Sequence, residues 1–344
     1  MNDEMQNTME APAADSAVGE AAIPVIEPKK NVGGGDKKDG FWREEWKRIK
    51  KYRALLWFVL PAMAVTLLFG YVPMLWIIFS FKSGYDLFGD FAYNLTHYSW
   101  TLQNFADIFA QAEFAKAVGN TLLINVLRLA ICFPLSILIA VQLSDLKSQG
   151  LAKTILIILT IPNFLSWAIV IGIWAGMFDP DFGVLGKVTG FLIGENKWFK
   201  VLVVVFSAWK GSGWGCILYY SAIVSIDKTY YESATLEGAN KLQKMWYLTL
   251  PSILSTIALT LVLNISSMMA TGFEQIWTMM KVNQGTLTDT QVVLDTYIYR
   301  VSIGKGVDNV PFATALGIFN GLIGLTLMLV GNAITSKTMK RGLW

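Results

Sequence analysis

Residues 230–251 read YYESATLEGANKLQKMWYLTLP. The stretch is polar and helix-forming, yet it sits between two long apolar runs. Glu232, Ala234, Leu236 and Glu237 are good helix formers, and Gly238 is a natural stop, because glycine enters the left-handed backbone region that closes a helix without steric cost. A second short helical stretch, residues 240–248, follows. Pro251 then opens the next apolar run, where its missing N–H does no harm in the first turn of a helix. Segment 227–251 is thus expected to be a helix-turn-helix that offers carboxylates, small residues and an aromatic pair to a soluble partner. Composition by itself leaves an ordinary amphipathic connector open.

The apolar runs on either side belong to a set of six, at about 54–81, 118–143, 154–178, 201–226, 252–272 and 313–334, each near the roughly 20 residues that cross a bilayer as a helix. Backbone groups cannot go unpaired in lipid, and none of these runs alternates as a barrel strand would, so all six are read as helices. The whole chain agrees. Of its 344 residues 54% are hydrophobic and 15% charged, against about 25% charged in a soluble domain, and its mean hydropathy is +0.47. The expected fold is all-α, a polytopic membrane protein with six transmembrane helices. His97 is the single histidine, so a histidine metal site or a Ser-His-Asp triad would hang on one residue. Cys132 and Cys216 both lie inside apolar runs and imply no disulfide. The chain is not expected to be an enzyme, to hold a metal or cofactor, or to bind nucleic acid.

Residues 1–40 are rich in Ala, Pro, Glu, Asp and Gly and lack the apolar periodicity that would offset ordering entropy, so a disordered cytoplasmic tail is expected there. Its acidic start, with Asp3, Glu4 and Glu10, is unlike a secretion signal. Within 41–53, Trp42, Trp46 and Ile49 fall at i, i+4 and i+7 against a basic face. That pattern suits an amphipathic helix lying in the headgroup layer; a plain basic linker is the other reading. Residues 54–344 form the expected transmembrane domain, and Lys and Arg orient it. Segment 37–53 and those following the second, fourth and sixth runs hold sixteen, against eight in the three remaining segments, which are longer. Both termini and segment 227–251 are therefore expected on the cytoplasmic side. The outer segments carry Pro and Gly punctuation, as in DPDFGVLG at 179–186, and are expected to pack into an extracytoplasmic face. Asn94-Leu95-Thr96 matches a glycosylation sequon, a tripeptide that arises often by chance.

The 230–251 stretch resembles the EAA loop of the permease subunits of bacterial ABC importers, which runs Glu-Ala-Ala, three residues, Gly, nine residues, Ile, one residue, Leu-Pro. Glu232, Ser233, Ala234, Gly238, Leu248, Leu250 and Pro251 stand at that spacing, with Ser233 in place of Ala and Leu248 in place of Ile. Further stretches, among them TIPNFLSWAIV, WKGSGWGCILYYSAIVSID and DTYIYR, carry the resemblance from about residue 54 to the C-terminus. They are similar to carbohydrate-uptake permeases of the type I fold, and among these to the ones for oligosaccharides or polysaccharide fragments. The resemblance implies one half of a heterodimeric channel in a bacterial cytoplasmic membrane, moving a sugar or oligosaccharide by alternating access. Its implied partners are a second permease subunit, two cytoplasmic ATPase subunits and an extracytoplasmic solute-binding protein. It also implies that the loop's first helix docks in a cleft of the ATPase, where Glu232 would meet a basic group, Ala234 would allow close approach and Gly238 would permit the turn. Leu248, Leu250 and Pro251 would join the loop rigidly to the fifth span. ATP hydrolysis is expected in the partner, and no G-x-x-x-x-G-K-[ST] occurs in this chain.

A substrate path is sought among polar residues inside the spans. Arg128 and Lys210 lie about ten residues into their helices, which at about 1.5 Å per residue is near the bilayer midplane. Charges there face the bundle interior or an aqueous cavity, although each could instead only brace helix packing against a buried carbonyl. Around Lys210, Trp209, Trp214 and neighbouring glycines allow close helix approach or an aromatic surface for a sugar ring. Pro162, Asn163, Ser166 and Trp167 interrupt the third run, and Asn264, Ser266 and Ser267 the fifth. Arg128, Asn163, Trp167, Trp209, Lys210, Trp214 and Asn264 are the pathway candidates. Two midplane cations without a midplane carboxylate point to an acidic sugar. An ion-coupled secondary transporter would place Asp or Glu inside its spans, and a non-transporting scaffold would have no use for the loop pattern; these are the two alternatives.

Overall fold

The computed structural model describes residues 53–190, 192–270, 272–282, 289–304 and 309–339. The tail expected at 1–40 and the interfacial helix expected at 41–53, apart from Arg53, lie outside the described residues. The chain divides into two compact units, Met1–Thr66 and Leu67–Trp344. In the first, the described part is one helix, α1 (Arg53–Thr66), apolar between its ends. The second opens with a π-helical turn, Leu67–Tyr71, and a 3₁₀ stretch, Val72–Phe81. It continues with α2 (Phe91–His97), α3 (Gln103–Ala110), α4 (Ala112–Ser144), α5 (Gln149–Thr160), α6 (Trp167–Met177) and the single turn α7 (Gly186–Thr189). Next come α8 (Phe199–Val224), α9 (Lys228–Leu236), α10 (Lys241–Lys244), α11 (Leu250–Ser252) and α12 (Leu254–Ser266), followed by α13 (Phe273–Val282), α14 (Leu294–Tyr299) and α15 (Val310–Met339). Among the described residues the extended pairing is confined to an isolated antiparallel bridge, Lys82–Trp100.

Four runs are long and apolar enough to cross a membrane unbroken: Trp57–Phe81, α4, α8 and Val310–Lys337 within α15. Two more are broken. α5 continues through a 3₁₀ turn, Ile161–Phe164, and meets α6 at a bend of 99°, while Lys241–Ser252 meets α12 at 68°. Six spans are reached when each bent pair counts as one; the interruption expected in the third run falls at Leu165 and Ser166, and the second bend falls at Ile253, at the edge of the run at 252–272. Proline chemistry explains both. Pro162 has no N–H with which to continue the helix, and Leu165 and Ser166 then turn to extended backbone, with ψ of 142° and 154°. Ser166 restarts the chain as an N-cap, its Oγ accepting from Ile169 N–H at 3.4 Å. Pro251 does not open the fifth span but lies within the helical path just before the bend, where it removes a donor to the preceding turn. Ile253 leaves the helical region at φ −95°, ψ 10°.

Three apolar clusters hold the second unit together. One gathers Ile124, Ile171, Phe199, Phe206, Ile276 and Met279 from α4, α6, α8 and α13. Another joins Ile108, Phe114, Leu294, Tyr297 and Leu316 from α3, α4, α14 and α15. The third packs Ala140, Cys216, Tyr219 and Ile257 from α4, α8 and α12. Outside them Ile157, Ile158, Leu322 and Leu329 stay exposed, the surface that helices surrounded by lipid present. Glycine permits a close approach of α8 to α5: a Cβ on Gly213 of α8 would lie 2.0 Å from the Leu159 carbonyl oxygen of α5.

The segment between Phe81 and α4 is closed by polar side chains. Asn94 is fully buried and accepts from Asp86 N–H at 2.7 Å while donating to the carbonyls of Asp86, Gly89 and Asp90 at 2.8, 3.0 and 3.0 Å. The amide of the sequon is thus committed to closing a loop. Lys82 Nζ, also buried, donates to the carbonyls of Leu95 and Tyr98 and sits 4.0 Å from the centre of the Trp100 ring, so its charge is met by dipoles and a π face.

Candidate functional site

Midway along α4, α8 and α12 lies a cavity of about 480 Å³ lined among others by Asn125, Arg128, Cys132, Trp214, Tyr219 and Asn264. Its polar wall is a connected network. Arg128 Nη1 donates to Asn125 Oδ1 at 3.2 Å and Nη2 to Gln275 Oε1 at 2.5 Å. Gln275, on α13 and 1% exposed, also accepts from Ser207 Oγ at 3.1 Å and donates to the Val203 carbonyl at 2.9 Å. Asn125 Nδ2 donates to the Met268 carbonyl at 2.7 Å, tying α4 to the chain beyond α12. Opposite, Tyr219 and Thr260 share a hydrogen bond of 2.7 Å, and Asn264 Nδ2 donates to the Thr260 carbonyl at 2.7 Å. Hydroxyls, amides, one guanidinium and the Trp214 ring together suit a polyhydroxylated ligand with an apolar ring face.

The candidates drawn from the sequence fall into two groups. Arg128, Trp214 and Asn264 line the cavity. Lys210, Asn163 and Trp167 meet instead at the break between α5 and α6. There Lys210 Nζ donates to the carbonyls of Asn163 at 2.6 Å and Pro162 at 3.4 Å and lies 5.3 Å from the Trp167 ring centre. Asn163 acts there through its backbone. Trp209 packs edge-on against Trp174 at 5.8 Å. Of the two midplane cations, then, Arg128 faces the cavity and Lys210 braces the broken span. Gln275 escaped the sequence reading because it belongs to the segment between the fifth and sixth apolar runs, which folds back into the helical core. Asn125, three residues before Arg128 on an apolar helix, was the available signal.

On the 227–251 segment, α9 is capped at both ends and α10 at its start. Asp227 accepts from the Thr229 N–H at 3.0 Å and from Thr229 Oγ1 at 2.6 Å, which holds its carboxyl below the usual carboxylate range. At the other end of α9, Gly238 takes φ of 81°, Gly238 N–H donates to the Thr235 carbonyl at 3.1 Å and Ala239 N–H to the Ala234 carbonyl at 2.9 Å. These are the two bonds of a Schellman motif. Asn240 and Gln243 then exchange side-chain to backbone bonds of 2.8 Å each, a capping box that starts α10. Tyr231 and Thr249 share a hydrogen bond of 2.9 Å, and Lys244 Nζ donates to Thr235 Oγ1 at 2.8 Å, folding α9 onto the arm that leads to α12. Glu232, Ser233 and Gly238 are exposed and Ala234 half-buried, while Leu248 and Leu250 are half-buried and Pro251 exposed on that arm. Leu236, 90% exposed, and Tyr247, 84% exposed, leave an apolar surface beside the carboxylates.

Broken apolar spans around an internal cavity, with a polar helical insert between two of them, are the architecture of a multi-pass membrane protein with a path through its helices. Residues 133–338 match the family described as "Binding-protein-dependent transport system inner membrane component", and the chain belongs to it. It is 31% identical over 303 residues to Protein LplB of Bacillus subtilis (strain 168), covering 86% of this chain and 92% of that one. It is 30% identical over 318 residues to the polygalacturonan/rhamnogalacturonan transport system permease protein YteP of the same organism, covering 88% and 95%. Among solved structures it is similar to a chain of a bacterial alginate ABC transporter in complex with an alginate pentasaccharide-bound periplasmic protein. The TM-score is 0.73 and the identity 30%, over 87% of this chain and 99% of that one. The chain is a permease subunit of the ABC-importer type, which sets aside the ion-coupled transporter and the scaffold.

Proposed function

We propose that this permease carries an oligosaccharide bearing carboxylates into the cytoplasm by alternating access, with the cavity at Arg128 as its substrate site. The observation that carries the reading is the placement of Arg128 in a cavity of about 480 Å³ where three spans meet, its lining apolar with a few polar side chains beside the guanidinium. A guanidinium there supplies a planar, permanently charged fork for a carboxylate, Trp214 offers a ring face to a pyranose, and Asn264 and its neighbours offer hydroxyl and amide partners. Relatives support the substrate class: one is named for polygalacturonan and rhamnogalacturonan, and a structural neighbour imports the acidic polysaccharide alginate. The chain works beside a second permease subunit, two cytoplasmic ATPase subunits and a solute-binding protein on the outer side, with both termini in the cytoplasm. The excess of Lys and Arg in the inner segments supports that orientation.

Segment 227–251 is the ATPase-docking element. Glu232, Ser233 and Ala234 form the contact face, the Gly238 turn sets its angle, and Leu248, Leu250 and Pro251 transmit its displacement to α12. Closure of the ATPase on ATP shifts the permease only through different affinities for its two states, and a docking helix that is capped at each end passes on that difference without fraying. The test is uptake by proteoliposomes containing the co-purified complex and its binding protein, with neutral and uronic oligosaccharides compared. ATP-dependent uptake of uronic sugars, lost in Glu232→Ala and Gly238→Pro complexes that still assemble and weakened for charged but not neutral sugars in Arg128→Gln, is the expected result. Preference for neutral sugars, or indifference to Arg128→Gln, refutes the substrate class. Indifference to both loop variants refutes the coupling role.

A further inference from the structure

A helix that stops short leaves its last carbonyls and its first N–H groups without intrahelical partners, the former carrying partial negative charge and the latter partial positive charge. The 99° break in the third span creates both kinds of end. Each is met by a full charge of opposite sign from another element. Lys210 of α8 puts its ammonium on the carbonyls of Pro162 and Asn163 at 3.4 and 2.6 Å. Glu274 of α13 accepts from the Trp167 N–H, the first of α6, at 3.1 Å. The next residue, Gln275, is the buried partner of Arg128 at the cavity. Successive residues on a helix point about 100° apart, so α13 holds the cavity wall with one side chain and the break with its neighbour.

We propose that Glu274 and Lys210 are positioning residues of the transport cycle. They form a clamp that pins the two cut ends of the third span, and Gln275 ties that clamp to Arg128. The link to Arg128 rests on the reading of the cavity given above; the clamp itself rests on the contacts at the break. A ligand carboxylate that takes Arg128 from Gln275 displaces α13 and thereby weakens the hold of Glu274 on α6. The break and the cavity then change together, because one short helix contacts both.

Cys132 lines the cavity, whereas Cys216 is fully buried, so the chain carries its own reporter. The rate of maleimide labelling at Cys132, quantified by mass spectrometry on the intact complex in proteoliposomes without sugar, reads access to the cavity. Glu274→Ala and Lys210→Met should each change that rate about tenfold, the factor set by one hydrogen bond to a charged group. Their combination should change it no further, because the two act on one element. Glu274→Gln keeps an acceptor oxygen without the charge and should fall between Glu274→Ala and the wild type; it also carries the test should the alanine variant not assemble. Rates within about twofold of wild type in assembled variants, additive effects in the double variant, or a Gln variant indistinguishable from wild type would overturn the proposal. No substrate enters this experiment, so its failure is separable from failure of the uptake test at Arg128.

Discussion

Replacing Gly213 by alanine should wedge α8 away from α5. The added Cβ would lie 2.0 Å from the Leu159 carbonyl oxygen and 2.3 Å from its carbon, where a relaxed C···O contact is about 3.3 Å. The helices must part by roughly 1.3 Å, or α5 must shift along its axis by a similar amount. Overpacking of this kind costs roughly 1–3 kcal/mol, and the upper end applies because the obstacle is backbone and cannot rotate aside. Lys210 lies one turn away on the same helix, and a shift of that size also takes its Nζ out of hydrogen-bonding range of Asn163. Gly211→Ala is the control: nothing lies within 4 Å of its Cβ, and alanine gains about 1 kcal/mol of helix propensity over glycine. Melting of the purified complex at one fixed heating rate is the assay, since midpoints of irreversible unfolding depend on that rate. The Gly213 variant should melt roughly 5 °C or more below the Gly211 variant. Equal midpoints would mean that α5 and α8 do not approach as described, and the account of the third-span break would lose its anchor.

Gly238, by contrast, has open space around its Cβ and a φ of 81°, so its substitutions should follow backbone strain alone. Gly238→Asn, tolerated in the left-handed region, should retain most ATP-coupled uptake, whereas Gly238→Val should lose about tenfold or more for a cost of roughly 1–2 kcal/mol. Asn94→Ala takes the partner from the Asp86 N–H and the Gly89 carbonyl, while the Asp86 and Asp90 carbonyls keep the backbone N–H groups of Gly89 and Asn94. It should destabilise this loop by roughly 2–4 kcal/mol, read as faster proteolysis within residues 82–90, with Asn94→Asp intermediate. The Asp227 cap has a carboxyl held below the ordinary 3.8 by Thr229. Its stabilising effect is therefore present above that value and lost as pH falls through the lowered pKa. Hydrogen exchange across α9 should accelerate in acid relative to an Asp227→Asn chain, which caps without titrating.

Most of the architecture was legible from local chemistry. Apolar runs long enough to span a bilayer, positive charge on alternate segments and a polar insert with Gly238 at its centre each report on a short stretch of chain. The structure returns the insert as α9 and α10 with a Schellman turn at that glycine. Other features were legible only as irregularity. Pro162 and Pro251 stand out in the sequence, but whether a proline ends, kinks or merely begins a helix depends on what satisfies the freed carbonyls, and Lys210, 47 residues from Asn163, does so at the first break.

Hydropathy, charge bias and helix signals in the sequence determined by themselves that this protein is a multi-span α-helical membrane protein with a polar, capped helix between its fourth and fifth spans, because such properties act within a turn or a span. Which polar residues share a space was decided by tertiary structure alone. Arg128 and Lys210 have the same sign and the same expected depth, yet one faces the cavity and the other a broken helix, since the rotation of α4 and α8 is set by packing at Gly213, Ile124 and Phe206. Gln275 reaches Arg128 across 147 positions of chain. No pattern along a single helix encodes that distance; it is fixed when α13 folds back and buries Ile276 and Met279 against α6 and α8.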